Sequence, residues 1–303
     1  MQATNAVAVL FLVVLAGLIA RKLGILTDGV SHALSRLITQ ISMPCLMLTS
    51  MQREFSPDLL RGFGITLGLG VIIIFGSVFL GWMLFSSRPR ERRVLLANFC
   101  GFSNCGFMGY PIIEAINPDW MIYAVAFNIA YNLACWSVGV ALFSGDKRFR
   151  IKKVLLNQNI IASLLGFILF CVGFRWPGVL FRGMEYVGGL TTPLSMLLIG
   201  ARLSGIRPKD LTDMDYHRIA LLRNIVLPLA TLGLLFLFPL SSDIRQVVFI
   251  LTAMPLGTLI AMLAELYHGD AVFAARSVAW STLLSLGTIP LLSLLLPLIG
   301  TVG

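Results

Sequence analysis

Charged residues are scarce in this chain. Only 12% of its 303 residues are Asp, Glu, Lys or Arg, while 57% are hydrophobic. A soluble domain of this length needs far more polar surface. The apolar residues also form long runs, several of which approach the roughly 20 residues of a membrane-spanning helix: 6–20, 62–85, 160–174 and 283–299. This composition excludes an ordinary soluble protein and predicts an all-α polytopic membrane protein.

Acidic residues are the scarcer charged type, with 14 Asp and Glu against 23 Lys and Arg. The acids inside the apolar segments, Glu114, Glu185 and Glu265, lie near segment ends, and none is paired with another in sequence. An intramembrane enzyme needs a nucleophile with a base, or paired carboxylates. The segment GFSNCG lacks the lysine of a phosphate-binding loop. The sequence therefore predicts neither an enzyme nor an ATP-driven pump, and it predicts no cofactor.

Cysteine usage and net charge exclude two further classes. The five cysteines lie in apolar segments, without a CxxC pair or a His-Cys cluster, so reduced packing residues are expected rather than disulfides or metal ligands. The net charge of +9 resembles that of a nucleic-acid-binding protein, but the basic residues lie in short loops between apolar segments. Membrane topology explains this excess of positive charge, and nucleic acid is excluded as a partner.

The apolar windows predict ten membrane spans. A basic stretch before the first window is lacking, and Arg21 and Lys22 follow it instead. This order predicts a retained first helix with its N-terminus outside rather than a cleaved signal. The predicted spans cover residues 3–20, 29–51, 59–86, 92–115, 119–143, 157–174, 179–204, 216–239, 243–267 and 271–300.

The basic residues orient these spans. Five lie in predicted outer loops: Arg53, Arg61, Arg175, Arg182 and Arg245. Fifteen lie in predicted inner loops: Arg21, Lys22, Arg88, Arg90, Arg92, Arg93, Lys147, Arg148, Arg150, Lys152, Lys153, Arg202, Arg207, Lys209 and Arg218. This bias toward the inner side predicts a multi-pass protein of the plasma membrane, the inner membrane of a bacterium, with both termini on the outer side.

The two halves of the sequence resemble each other weakly. SMPCLMLTSM in the second span is similar to TTPLSMLLIG in the seventh, and ERRVLLANF in the fourth is similar to IRQVVFILT in the ninth. Five spans per half is an odd number, so the second copy must insert upside down. Inverted repeats with paired broken helices are typical of secondary transporters. We therefore predict a first five-helix repeat at 1–143, a cytoplasmic basic linker at 144–156 and a second repeat at 157–303.

Spans four and nine carry the features of broken helices. FSNCGFMGYPII and TAMPLGTLIAM place glycine and proline at membrane depth, where unsatisfied backbone groups cost several kcal/mol each unless they are buried in protein or line a wet cavity. A half-helix beginning near Pro111 would offer free N–H groups and a positive dipole end to an anion. If the two breaks cross near the midplane, their gaps form one site.

The candidate substrate-binding residues follow from these breaks. Asn128 and Asn132, four residues apart in span five, share a helix face and can direct amides toward the crossing. The set comprises Asn104, Cys105, Gly106, Gly109, Pro111, Asn128, Asn132, Thr252, Pro255, Gly257 and Thr258. The alternative is that Asn104 and the small residues only pack helices closely or satisfy a kink. Arg36, Arg223 and Arg276 lie inside spans and are expected to snorkel or to be paired in the bundle, with a substrate role as the open alternative.

Several motifs resemble the auxin efflux carrier family. NCGFMGYPII resembles the fourth-helix motif of that family, AMPLGTLIAMLAELYHGD its ninth-helix motif and NLACWSVGVALF the end of its fifth helix. The resemblance implies the bile-acid/sodium-symporter-like fold, with ten helices in two inverted repeats and helices four and nine crossing. It also implies a scaffold of helices one, two, six and seven beside a mobile unit of the other six. The short linker is similar to that of the bacterial permeases, which are described as carriers of malate, malonate or similar carboxylates.

These observations predict a secondary transporter for a small organic anion, working by an elevator-type alternating-access mechanism. The expected partners are that anion and the lipid bilayer, with a second copy of the chain as a candidate homodimer partner. A proton and a sodium ion are the candidate coupling ions, and uncoupled movement down the membrane potential is the third option. The alternative function is a channel or a ligand-sensing membrane protein on the same scaffold.

Overall fold

The computed structural model of the chain describes residues 2–145, 158–204 and 211–301. Nearly all of the predicted basic linker at 144–156, as well as Arg207 and Lys209, lies outside these ranges. The α-helices of the described ranges are α1 Gln2–Lys22, α2 Asp28–Leu37, α3 Met43–Ser50, α4 Pro57–Leu84, α5 Arg90–Gly101, α6 Tyr110–Ile116, α7 Met121–Ala134, α8 Val140–Ser144, α9 Gln158–Cys171, α10 Gly178–Gly189, α11 Thr191–Leu203, α12 Met214–Leu221, α13 Leu227–Leu235, α14 Ser242–Thr252, α15 Thr258–Leu266, α16 Ala271–Ser293 and α17 Leu296–Thr301.

Within the described ranges, five helices are long and apolar enough to cross a membrane: Asn5–Lys22, Pro57–Leu84, Pro118–Ser144, Met214–Leu235 and Ala271–Ser293. Large apolar side chains on α4 face outward, including Ile72 and Phe79, which are more than 60% exposed. Lipid is the environment in which such a surface is stable. The regular structure of the described ranges is helical, which confirms the prediction of a helical multi-pass membrane protein.

Short π-helical stretches join several of these helices into longer segments. They cover Ile38–Ser42, Cys105–Gly109, Cys135–Gly139 and Leu222–Val226. In three of the four, a proline follows two residues after the stretch: Pro44, Pro111 and Pro228. Proline lacks an N–H and clashes with the carbonyl four residues earlier, and a wider π turn relieves both problems. The helices therefore continue through these prolines.

Polar contacts link loops that the sequence assigns to the same side of the membrane. On the predicted inner side, Arg88 pairs with Asp215 at 2.7 Å, and Arg92 lies 3.5 Å from Asp213 and 3.4 Å from Asp270. On the predicted outer side, Arg53 pairs with Asp119 at 2.7 Å and thereby joins two further loops. Each of these ion pairs joins residues on one predicted side of the membrane.

The helices pack in two groups. Helices α1, α3, α9, α10 and α11 form one group. In the other, α4 packs on α5 and α7, α12 and α15 pack on α16, and both α12 and α15 also contact α5. The two groups contact each other where α1 packs on α6 and α16. The contact between α1 and α11 is very close because glycine lies on both sides. A Cβ atom added at Gly17 would lie 2.1 Å from the carbonyl oxygen of Leu197, and one added at Gly200 would lie 1.9 Å from that of Val14. No side chain fits at either position.

Candidate functional site

Two broken helices cross and bond through their backbones. The first broken helix is formed by α5, residues 102–109 and α6, and the second by α14, residues 253–257 and α15. The nitrogen of Asn104 donates to the oxygen of Pro255 at 2.8 Å, and the nitrogen of Gly257 donates to the oxygen of Phe102 at 2.9 Å. Ser103 and Leu256 thereby form an antiparallel bridge. Each break satisfies polar backbone groups of the other, which hydrocarbon could not do.

This crossover requires glycine at position 257. A Cβ atom on Gly257 would lie 2.9 Å from the oxygen of Phe102, 2.9 Å from the hydroxyl of Tyr131 and 3.0 Å from the oxygen of Ser103. Two of these three atoms belong to the backbone of the other broken helix, so they cannot move aside cheaply. At Gly257 the lack of a side chain therefore allows the two broken helices to pack closely.

The structure corrects the predicted start of the first half-helix. After the break, the helix begins at Cys105 with Asn104 as its cap residue, not near Pro111. Pro111 lies a turn and a half later, where the π-helical stretch accommodates it. The first N–H groups of a helix have no partner within the helix, so the free donors here belong to the first turn after Asn104. The second half-helix begins at Thr258.

Both half-helix N-termini border one cavity of about 640 Å³. Its wall includes five of the predicted residues: Asn104, Gly106, Asn128, Asn132 and Thr258. The other lining residues are Thr39, Met43, Ser103, Phe107, Tyr131, Trp136, Asn159, Leu259, Met262, Leu263, Glu265 and Leu266. A cavity lined mostly by apolar groups with a few convergent amides and hydroxyls is suited to a small organic molecule.

Asn128 and Asn132 lie on one face of α7 and are bonded to each other. The amide nitrogen of Asn132 donates to the backbone and side-chain oxygens of Asn128, both at 2.8 Å. The amide nitrogen of Asn128 donates in turn to the sulfur of Cys105 at 3.5 Å. This chain of bonds fixes the orientation of both amides at the wall of the cavity.

The remaining predicted residues form the crossover rather than the cavity wall. Gly109 packs closely against the second broken helix, since an added Cβ would lie 2.7 Å from a methyl of Leu251. The Thr252 hydroxyl donates to carbonyls of its own helix, those of Val248 and Phe249. Cys105, Pro111, Pro255 and Gly257 are buried in the crossover. The structure therefore brings about half of the predicted set to the cavity.

Two further cavities share part of this wall. One of about 380 Å³ and one of about 650 Å³ both include Thr258, Met262 and Glu265. The larger continues past Arg21 and other residues of the predicted inner side: Asp28, His32, Arg36, Arg202 and Ser204. The cavities at the crossover thus adjoin a polar vestibule on the predicted inner side of the protein.

The position and contacts of Arg223 differ most from what the sequence predicted. It lies in the π-helical stretch Leu222–Val226, is 2% exposed and reaches the crossover. Its guanidinium donates to the carbonyl oxygens of Cys100 at 2.8 Å, Thr252 at 2.9 Å and Met254 at 3.2 Å. Of the two expectations for this arginine, pairing inside the bundle is correct and snorkelling is wrong.

The next residue completes the support of the crossover. The amide nitrogen of Asn224 donates to the carbonyl of Ser281 at 2.8 Å, and the hydroxyl of Ser281 donates back to the Asn224 oxygen at 2.7 Å. The same hydroxyl accepts the N–H of Leu256 at 3.1 Å. The segment that carries Arg223 and Asn224 is not part of either broken helix, yet it supports both. Arg223 donates to their carbonyls, and Asn224 helps to orient the Ser281 hydroxyl that accepts the N–H of Leu256.

Comparison with known proteins places these features in a family. The family model described as "Membrane transport protein" matches the chain twice, at residues 2–150 and 147–293. The chain belongs to this family. Its members are transporters, so the activity of the chain is transport and not catalysis.

Curated relatives agree with this assignment. An uncharacterized transporter of Methanothermobacter thermautotrophicus is 26% identical over 305 residues, covering 98% of this chain and 99% of the relative. One of Methanocaldococcus jannaschii is 24% identical, covering 95% and 96%. A probable auxin efflux carrier component of Oryza sativa is 26% identical over 139 residues, 44% of this chain and 38% of the relative. The resemblance to auxin efflux carriers is confirmed.

Proposed function

We propose that the protein carries a small organic anion, a mono- or dicarboxylate such as malate or malonate, across the plasma membrane. The observation that supports this most strongly is the cavity shared by the two half-helix N-termini, after Asn104 and at Thr258. Each N-terminus carries a partial positive charge and free N–H donors, an arrangement that favours a carboxylate. The Asn104 amide at the same wall adds a donor of matching chemistry.

The proposed architecture is ten membrane helices in two inverted five-helix repeats. The double family match and the crossing of corresponding broken helices support it. With both termini outside, the vestibule at Arg21 and Arg202 opens to the cytoplasm, so this conformation is the inward-open one. Inverted repeats allow a second, outward-open conformation in which the two copies exchange roles.

The proposed mechanism is an elevator movement. Helices α4 to α8 and α12 to α17 move as one body past the group formed by α1, α3, α9, α10 and α11, carrying the crossover and its anion with them. The packing of helices within each group supports this division, and the movement would carry α6 and α16 past α1, which they contact. A homodimer is a further part of the proposal.

Reconstituted protein tests this function. Proteoliposomes loaded with unlabelled malonate should take up radiolabelled malonate and malate with saturation and with stimulation by anion on the opposite side. Protein-free liposomes, and liposomes containing the Asn104→Ala variant, are the controls. Uptake that rises linearly with concentration and lacks such stimulation would instead support the channel alternative. A purified protein that neither binds nor moves any mono- or dicarboxylate in this screen would refute the proposal.

A further inference from the structure

We propose that Arg223 is the resident cation of the crossover: its guanidinium occupies the position in which a transporter of this architecture would bind a coupling cation. Anion binding and transport would then require no Na⁺. The part of this inference that concerns anion affinity rests on the function proposed above, while the part that concerns Na⁺ does not.

Two of the three carbonyls around Arg223 come from helix ends, and the third comes from the second break. Cys100 lies in the last turn of α5 and Thr252 is the last residue of α14, while Met254 lies in the second break. The last carbonyls of a helix lack partners within the helix and carry about half a negative charge together. The crossover thus brings two negative helix ends to one place inside the membrane, where they repel each other unless a cation lies between them.

Carbonyl oxygens of unwound helices are the groups that coordinate Na⁺ in secondary transporters. Here the guanidinium of Arg223 donates to those oxygens from Nε, Nη1 and Nη2. A planar guanidinium has five donors, no acceptor and a charge that persists at any physiological pH. It therefore provides the charge and the contacts of a bound cation, and it occupies the space that such a cation would need.

The charge of Arg223 faces carbonyl dipoles rather than a carboxylate. The ion pairs found within residues 2–145, 158–204 and 211–301 involve other arginines, such as Arg88 with Asp215. The full positive charge offsets the partial negative charges of the two helix ends, so the positive N-termini of the two half-helices remain as the uncompensated charge of the crossover. This excess has the sign needed to attract a carboxylate at the half-helix N-termini, and the low dielectric of the interior strengthens it. Arg223 is in this sense a positioning residue with a long-range electrostatic role.

The first experiment needs no substrate. Melting of the purified wild-type protein should be unchanged when NaCl is replaced by KCl or choline chloride at constant ionic strength. The Arg223→Ala variant should melt at a lower temperature, and millimolar guanidinium should raise its melting temperature progressively, as expected for a bound ligand. A specific Na⁺ stabilisation of the wild type, or failure of guanidinium to stabilise the variant, would overturn the resident-cation assignment.

The second experiment separates charge from packing. Malonate affinity, measured by calorimetry, should fall by about tenfold or more in Arg223→Gln and by less in Arg223→Lys, because lysine keeps the charge. Arg245→Gln is the matched control, since Arg245 is also buried, but at the start of α14; malonate affinity should be unchanged in it. Equal losses in the Gln and Lys variants would show a purely structural role. If malonate fails to bind even the wild type, the anion function is wrong, and the Na⁺ experiment still decides the first part.

Discussion

The backbone nitrogen of Asn104 lies 2.8 Å from the carbonyl oxygen of Pro255, and this hydrogen bond joins the two broken helices at their crossing. The backbone of Asn104 thus belongs to the crossover, while its side chain lines the cavities beside it. Asn104 therefore belongs both to the crossover and to the wall of the cavity. A substitution of Asn104 keeps the backbone hydrogen bond to Pro255 but removes the side-chain amide from the cavity wall.

Asn104→Ala should therefore remove transport while leaving the fold intact. The variant keeps the N–H that donates to Pro255 and loses only the amide at the cavity. The loss of one hydrogen bond to a charged ligand lowers the binding free energy by about 1.5–3 kcal/mol. Malonate uptake should fall by more than tenfold, as measured in proteoliposomes with equal amounts of folded protein.

A matched control is available in the same broken helix. The amide of the buried Asn98 donates to the carbonyl of Val94 in its own helix at 2.9 Å, so Asn98→Ala should lower stability more than substrate affinity. If the activity of Asn104→Ala falls only in proportion to the amount of folded protein, Asn104 is a residue that satisfies a kink and not a binding residue.

Gly257→Ala should disrupt the crossover itself. The added methyl would lie within 3 Å of backbone oxygens of the first broken helix, and overpacking of this kind costs about 1–3 kcal/mol. Thermal melting should show the loss, and uptake should fall with it. Gly64→Ala, on a face of α4 where an added Cβ meets no atom within 4 Å, should be neutral or slightly stabilising. Comparable melting temperatures for the two variants would contradict this account of the crossover.

The helical, multi-pass character of the protein could be predicted because it depends on local features of the sequence. Apolar windows and basic loops depend on neighbouring residues, and the helices match the predicted windows apart from overhangs such as those of Gln2–Lys22 and Arg90–Gly101. The two breaks could also be predicted, because Gly and Pro act on their own backbone. Their crossing required the additional pattern of two corresponding halves.

The contacts of Arg223 could not be predicted in the same way. Arg223 donates to the backbone carbonyls of Cys100 and Thr252. Every residue has a backbone carbonyl, so the sequence does not indicate which ones an arginine will contact. The start of the half-helix at Cys105 was missed for a related reason: Pro111 looked like a first-turn proline, whereas a π-helical stretch accommodates it later in the helix. Thr39 and Asn159, on the opposite wall of the cavity, carry no motif and were found only from the fold.

The ion pair between Arg53 and Asp119 should stabilise the inward-open conformation. Arg53 follows α3 in the proposed static group, and Asp119 precedes α7 in the proposed mobile group. A second contact, from the hydroxyl of Thr192 to the carboxylate of Glu114, joins the same two groups. An elevator movement must break both contacts, so weakening either should favour the outward-open form. A partly exposed pair of this kind contributes about 0.2–1 kcal/mol.

Labelling of a cysteine at Thr39, in the cavity wall, reports this equilibrium. In inside-out vesicles, an impermeant maleimide should react with Thr39→Cys more slowly, by up to about fivefold, when Arg53→Glu is added. The double reversal Arg53→Glu with Asp119→Arg should restore the rate, because the pair is re-formed with its charges exchanged. Equal rates in all three backgrounds would mean that this contact does not distinguish the two conformations.

The orientation of the whole protein can be tested at two exposed loop positions. Ser87 lies beside the group of ion pairs formed by Arg88 and Arg92, and Glu54 lies next to Arg53 on the other predicted side. The excess of basic residues on the Ser87 side predicts that this side is cytoplasmic. An impermeant maleimide should therefore label Ser87→Cys only in inside-out vesicles and Glu54→Cys only in intact cells. The reverse result would turn the vestibule toward the outside, so that the conformation described here would be the outward-open one. Labelling of both positions from one side would contradict the odd number of spans that separates them.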